Sequence, residues 1–242
     1  VISVVLVLKS GGDFKPAHLS WVKAGLAKHL SRSFVIRCLT DYLGPGSAED
    51  IPAGIEVVPL RHDLPGWWSK IEVFSVPPGP ALYLDLDTSL VGPIDGLADA
   101  VLNLGANEFL MLRRFRREGW ASGMMGWNGN CNWVQSRFLG EMRAGGKFLQ
   151  DNWKIGLKMN GKRYQGDQSW IAKSLESVGK IIAVQDVFPG IYSFRCDVRP
   201  RMKLPDDAKI VCFHGRPRPW DIAGLDPALS RLREPTTKNR AL

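Results

Sequence analysis

The chain has 242 residues, 45% of them hydrophobic and 23% charged, with a formal net charge of +8. That length and apolar share fit one globular domain with a real core, and no apolar run approaches the roughly 20 residues of a membrane span. The basic balance suits anionic ligands (nucleotide diphosphates, nucleic acid or an anionic lipid surface); the alternative is a well-solvated basic surface.

Val1–Leu8 is an apolar run with no basic residues ahead of it and no small-residue cleavage site after it, so it reads as a first core strand rather than a signal core. Lys9–Asp13 is a loop. Pro16 opens a helix to about Leu30, with Leu19, Val22, Leu26 and Leu30 on one face. Ser33–Leu39 is the next strand, ending at Thr40–Asp41, and Ile55–Leu60 is a third. A helix around Gly66–Val76 precedes the break Pro77-Pro78-Gly79-Pro80 and the short apolar strand Ala81–Leu84. This alternation predicts an α/β fold, a mainly parallel central sheet with helices on both faces. Ligands collect at the carboxyl ends of such strands, where Gly11–Gly12, Asp41, Asp85 and Asp87 all fall.

The second half is less regular. Glu108–Leu112 and Gly123–Trp127 read as strands and Asn132–Ala144 as a helix. Gly166–Trp170 leads into a helix to about Ser177, and Ala208–Phe213 is a late strand running into His214–Trp220. The expected organisation is a single domain over 1–235, with halves 1–90 and 91–235, and a frayed tail at 236–242. Cys38, Cys131, Cys196 and Cys212 are scattered without a C-x-x-C pair, which reads as reduced thiols in a cytoplasmic protein without a zinc site.

The chemistry concentrates at Asp85-Leu86-Asp87. On a continuing strand the two carboxylates point the same way. Side by side and half-buried they repel, and one takes up a proton unless a cation is present. Oxygen ligands favour magnesium, manganese or calcium over zinc. The structural alternative is a pair of solvated aspartates at a strand end. The Gly11–Gly12 loop matches neither a P-loop nor a dinucleotide fingerprint.

Lys70 within Trp67–Phe74, then the Pro/Gly break, the apolar strand and Asp85-Leu86-Asp87-Thr88 together resemble the GT-A glycosyltransferases. The likeness is to the family 8 type, which includes glycogenin and bacterial lipopolysaccharide galactosyltransferases. It spans most of residues 1–220 and is strongest over 70–88 and 215–220. It implies a GT-A-like fold in which Asp85 and Asp87 hold Mn2+ (or Mg2+) under the donor diphosphate and Lys70 reaches toward the donor. Ser10 and Asp41 would lie by the base and ribose. Ala121–Met125 resembles the family's Asn-Ser-Gly segment, with Ala121 in place of Asn and Ser122 near the donor sugar. Gly166-Asp167-Gln168 resembles its Asp-Gln pair: Asp167 would lie at the sugar or the reacting carbon and Gln168 would donate to the leaving group. For Asp167 the structural alternative is a helix N-cap. Gly215–Trp220 matches the family's Gly-Lys-Pro-Trp spacing with Arg218 for Lys, a guanidinium suited to diphosphate oxygens. Cys212 occupies the family's His position. His214 follows two residues later, on the same strand face, and is the candidate third metal ligand.

The implied activity is transfer of a hexosyl group from a nucleotide-diphosphate sugar, a UDP-sugar by the resemblance, with retention of configuration. The acceptor is open among saccharide, lipid-linked glycan, protein and modified DNA. Arg113, Arg114, Arg116 and Arg117, beside Ser122–Gly123, either form a solvated loop or border the acceptor cleft, and in the second case point to an anionic acceptor, nucleic acid included. Two other readings stand: a haloacid-dehalogenase-like phosphatase, which wants its Asp-x-Asp on the first strand, and a non-catalytic GT-A-like binding module. Asp63 and Trp67–Trp68 either shape the acceptor side or pack.

Overall fold

The computed structural model describes residues 1–44, 50–151 and 154–222; the expected boundary at 235 and tail at 236–242 lie outside them. β1 (Ile2–Leu8) is buried almost throughout, as a strand covered on both faces requires. Its side chains alternate between two cores. Val4, Leu6 and Leu8 face the cluster that holds Leu19, Val22 and Leu26 of α1 (Ala17–His29). Val5 faces a cluster built on Trp68, Phe74 and Phe138.

β2 (Phe34–Thr40) and β3 (Ile55–Pro59) follow, and then a 3-10 helix at Gly66–Ser75. β4 (Gly79–Leu84), β5 (Thr88–Leu90), α2 (Asp95–Leu102), β6 (Glu108–Arg113), β7 (Trp120–Gly129) and α3 (Asn132–Arg143) come next. β8 (Lys147–Asp151), β9 (Lys154–Met159) and β10 (Lys162–Tyr164) form an antiparallel meander. α4 (Asp167–Glu176), β11 (Lys180–Ala183), α5 (Val184–Val187), β12 (Ile191–Ser193), a π-helical turn at Phe194–Val198 and β13 (Ile210–Cys212) complete the described chain.

The central sheet has seven strands in the order β11-β6-β7-β4-β1-β2-β3. Neighbours are parallel except at β7, which runs antiparallel to both β4 and β6. The expected α/β sheet, mainly parallel with helices on both faces, is what forms. α1 and α2 cover one face, and the 3-10 helix, α3 and α4 cover the other.

Two features overturn details of the sequence reading. The chain does not continue as a strand through the aspartates. β4 ends at Leu84 and the chain turns, closed by Thr88 N–H donating to the Asp85 carbonyl at 3.0 Å. Strand alternation therefore does not orient Asp85 and Asp87. Nor does it orient His214, because β13 stops at Cys212. The reason is a second sheet, β12-β13-β5, which captures the chain just past Asp87. Cys212 pairs with Thr88, and Phe213 N–H donates to the Asp87 carbonyl at 3.2 Å.

Candidate active site

Register does most of the assembly. Leu84 pairs with Met124, and Asp85 N–H donates to the Gly123 carbonyl at 2.9 Å, so Ser122–Gly123 lies against the first aspartate. A Cβ at Gly123 would sit 3.1 Å from the Asp85 carboxylate, so only glycine leaves that carboxylate its full space. β13 returns the chain to Asp87 and delivers His214–Arg218 to the same place. Gly215 makes this turn at φ +80, a conformation that disfavours any L side chain.

Lys70 comes from the 3-10 helix and is 8% exposed. Its ammonium lies 2.9 Å from Asp85 Oδ1 and 3.5 Å from Asp167 Oδ2, and it donates to Ser122 Oγ at 3.1 Å. The Ser122 hydroxyl in turn donates to Asp167 at 2.5 Å. Burial alone would lower the Lys70 pKa, but the charges of Asp167 and Asp85 outweigh it and hold it above the ordinary lysine value. Asp167 is not an N-cap: Gly166 holds that position, and no side-chain cap bond forms. Its carboxylate is committed to Lys70 and Ser122 instead.

Tyr83, not singled out from the sequence, donates its phenol to Asp85 Oδ1 at 2.5 Å. Burial and the Asp85 charge push its pKa well up, so it stays a donor. Asp87 is 7% exposed and accepts from Arg218. Burial first, then the charge of Asp85, push the Asp87 carboxyl up to about 7 against the opposing pull of Arg218 and Lys70. Arg218 also lies 3.5 Å from Asp13, over the ring of Phe14 at 4.8 Å, and its buried Nε has no partner among the described residues. Trp220 stacks on His18, with ring centroids 3.7 Å apart, and so ties the last described segment to the start of α1.

Lys70, Tyr83, Asp85, Asp87, Asp13 and Arg218 line a cleft of about 850 Å³ at the carboxyl ends of β1 and β4, which also takes in Ser10, Gly11, Gly12, Gly215 and His214. Lys70, Arg218, Asp85 and Asp87, drawn from three distant segments, thus share one cleft. Asp41 holds the Ser10 backbone N–H and hydroxyl at 2.8 and 2.6 Å and pairs with Lys9 at 3.1 Å. Burial works against its charge, but those bonds hold its carboxyl below the usual value. Asp63 pairs with Lys9 at 2.9 Å. The fully buried Glu72 accepts the backbone N–H groups of Arg61 and His62 and so fixes the loop after β3. Of the tryptophan pair, Trp68 is core and Trp67 is 37% exposed at the cleft. Tyr83 lies two residues before Asp85, a spacing that marks it as a neighbour; Lys9, Asp13 and Trp67 carry no such signal.

Among the described residues no three His, Cys, Asp or Glu side chains are grouped closely enough to hold a metal ion as they stand. His214 packs its ring 5.2 Å from that of Phe115. Burial, helped by Arg195 and Arg116 against the pull of Asp85, lowers its pKa and keeps the imidazole neutral. The donor set nonetheless suits a hard divalent cation: two close carboxylates, with burial and the charge of Asp85 raising the pKa of Asp87.

A second cavity of about 700 Å³ begins at Lys70, Asp85 and Trp67 and runs past Ser122, Asp167 and Gln168. Arg114 and Arg117 border it, and Arg116 stands at a smaller adjoining recess. Arg113 does not join them: it pairs with Asp186 at 2.5 Å.

This is the fold of a GT-A glycosyltransferase, and solved structures bear that out. Over 91% of its length the chain superposes on the glycosyltransferase GlyE of Streptococcus pneumoniae TIGR4, with a TM-score of 0.59 and 16% identity. The galactosyltransferase LgtC, solved with donor and acceptor sugar analogues, matches 96% of the chain with a TM-score of 0.55 and 12% identity. The chain spans 57% of the GlyE chain and 94% of the LgtC chain. At these identities the likeness establishes the fold, a GT-A architecture resembling the family 8 type. No protein-family model and no curated protein matches the sequence. The Asp-x-Asp lies after the fourth strand in chain order, not on the first as the phosphatase reading requires. No helix among the described residues is long and apolar enough to cross a membrane.

Proposed function

We propose that the chain is a metal-dependent glycosyltransferase that moves a hexosyl group from a nucleoside-diphosphate sugar, a UDP-sugar by the resemblance, to an acceptor hydroxyl with retention of configuration. The observation that carries this is the convergence of Lys70, Asp85, Asp87 and Arg218 on one cleft of a GT-A fold. Asp85 and Asp87 would hold Mn2+ or Mg2+, with His214 of the same cleft the third candidate ligand. When bound, the ion supplies Lewis-acid stabilisation of the diphosphate.

The chain's own groups have distinct tasks in this reading. In the net reaction the acceptor oxygen bonds to the anomeric carbon and the bond from that carbon to the diphosphate breaks. Its electron pair leaves on the nucleoside diphosphate, and the hydroxyl proton is released. Charge therefore accumulates on the diphosphate, where Lys70 and Arg218 stand as fixed cations needing no reorganisation. Ser10 borders the end of the cleft expected to take the base and ribose, held there by Asp41, in the half formed by residues 1–90. Asp167 and Gln168 lie in the cavity beyond Lys70, where the sugar is expected, in the half that begins at residue 91.

A screen of UDP-, GDP- and ADP-sugars with manganese, read by released nucleotide, tests the proposal. Manganese-dependent release from one donor class is the expected result. No release from any donor, with phosphate liberated from a monoester instead, would favour the phosphatase reading.

A further inference from the structure

The far side of the site has an electrostatic character of its own. A recess of about 260 Å³ is lined by Arg114, Arg116, Arg117 and Arg195 and by no carboxylate. It shares Arg114, Arg117, Ala121 and Gln168 with the cavity that leads back to Lys70 and Asp167. The groups that hold three of these arginines in place are neutral. Arg114 Nε donates to the Trp120 carbonyl at 2.9 Å, Arg116 Nε to Cys196 Sγ at 3.2 Å, and Arg195 to the Arg216 carbonyl at 3.0 Å. Other arginines of the chain do pair with acids, as Arg113 does with Asp186 and Arg137 with Glu141. Here four positive charges converge with no compensating acid in the recess. Burial first, and then the neighbouring charge of Arg117, lower the Arg114 pKa.

Trp67 supplies the complementary feature. It is 37% exposed and lies where the two larger cavities meet, beside Lys70 and Asp85. An exposed indole inside a polar cleft is a platform for the apolar face of a ring. Resting on the glycosyltransferase reading, we propose that this side of the site takes an acidic saccharide as acceptor. Its sugar ring lies on Trp67, and its phosphate or carboxylate group lies on Arg114 and Arg117. The recess holds a single compact acid group, which favours a short acidic saccharide over an extended polyanion.

Equilibrium binding tests this without turnover. The probes are maltose, its phosphate monoester and its uronate, with a short single-stranded DNA, titrated into the full chain at low and high salt. Both acidic disaccharides are expected to bind at least about tenfold tighter than maltose at low salt, with the gap closing as salt rises. The tighter of the two identifies the acid group. Arg114→Gln with Arg117→Gln should remove the gap. Because Arg114 is half-buried, the exposed pair Arg117→Gln with Arg195→Gln is the second variant, expected to narrow it. Trp67→Ala should weaken all three saccharides alike. Equal binding of maltose and the acidic forms would overturn the proposal. So would a gap that survives both arginine variants, or tighter binding of the DNA than of any disaccharide. Nucleotide release from sugar donors, measured separately, reports on the glycosyltransferase reading alone.

Discussion

Lys70→Met is the most exacting perturbation of this site, because one ammonium serves two carboxylates. Methionine keeps the length and apolar character of the stem and removes the charge. Asp85, about a third exposed, can turn to water, but Asp167, at 8% exposure, loses its cationic partner in a buried place. Breaking a buried pair from one side costs about 3–5 kcal/mol. The Ser122 hydroxyl, 2.5 Å away, remains as a donor to Asp167, which places the expected loss near the lower figure, about 3 kcal/mol. For a chain of this size that is roughly 6–12 °C in melting temperature. Donor affinity should fall independently, by roughly 10- to 100-fold, the worth of one charge-assisted contact at about 1.5–3 kcal/mol. Thermal unfolding followed by circular dichroism reads the first effect, and calorimetric titration of UDP with manganese reads the second. A variant that melts at the wild-type temperature shows that Lys70 does not hold the two carboxylates together. One that is destabilised yet binds nucleotide normally confines Lys70 to a structural role.

Asp87→Ala should abolish manganese-dependent nucleotide binding while the fold survives; unchanged affinity by calorimetry rules out Asp87 as a ligand. Manganese affinity should rise about tenfold per pH unit up to roughly neutral pH and level off above, because the Asp87 carboxyl, pushed up to about 7, must lose its proton before it can ligate. A flat profile from mildly acid to mildly basic pH contradicts that origin of the site. The tryptophan pair should separate: Trp68→Ala empties a fully buried position and should cost about 3–5 kcal/mol, whereas Trp67→Ala, at a position already 37% exposed, should cost less, about 1–2 kcal/mol. Equal losses in chemical denaturation would contradict the assignment of one to core and one to cleft. Gly179→Ala should be severely destabilising, since its Cβ would fall 2.0 Å from the backbone oxygen of Asn107; wild-type stability would refute the close approach there.

Much of the fold is legible locally. β1, α1, β2 and β3 are runs whose own apolar pattern decides helix or strand, and each forms close to its expected bounds. β5, β12 and the meander β8–β10 are not legible in this way. β5 and β12 have three residues each, too few for a periodic signal, and they exist because β13 pairs with them across long sequence separations. The same limit applies to Asp85 and Asp87. The sequence places two carboxylates one residue apart at a strand end, and that alone predicts repulsion and a need for a cation.

Which cation meets which carboxylate is a tertiary decision. The strand ends at Leu84, so alternation no longer orients the side chains. Asp85 goes to Lys70 and Tyr83, and Asp87 to Arg218. Asp167 shows the same division. By itself it reads equally as a site residue or a helix cap, and the buried ammonium 3.5 Å away takes it from the first turn of α4. Among the arginines, sequence adjacency suggests one cluster, whereas the fold sends Arg113 to Asp186 and leaves its neighbours facing the cavity. The chain thus encodes residue chemistry and local periodicity directly. Partnership between charges depends on distances of a few ångströms, and only packing of the sheet, its helices and the returning β13 segment sets those.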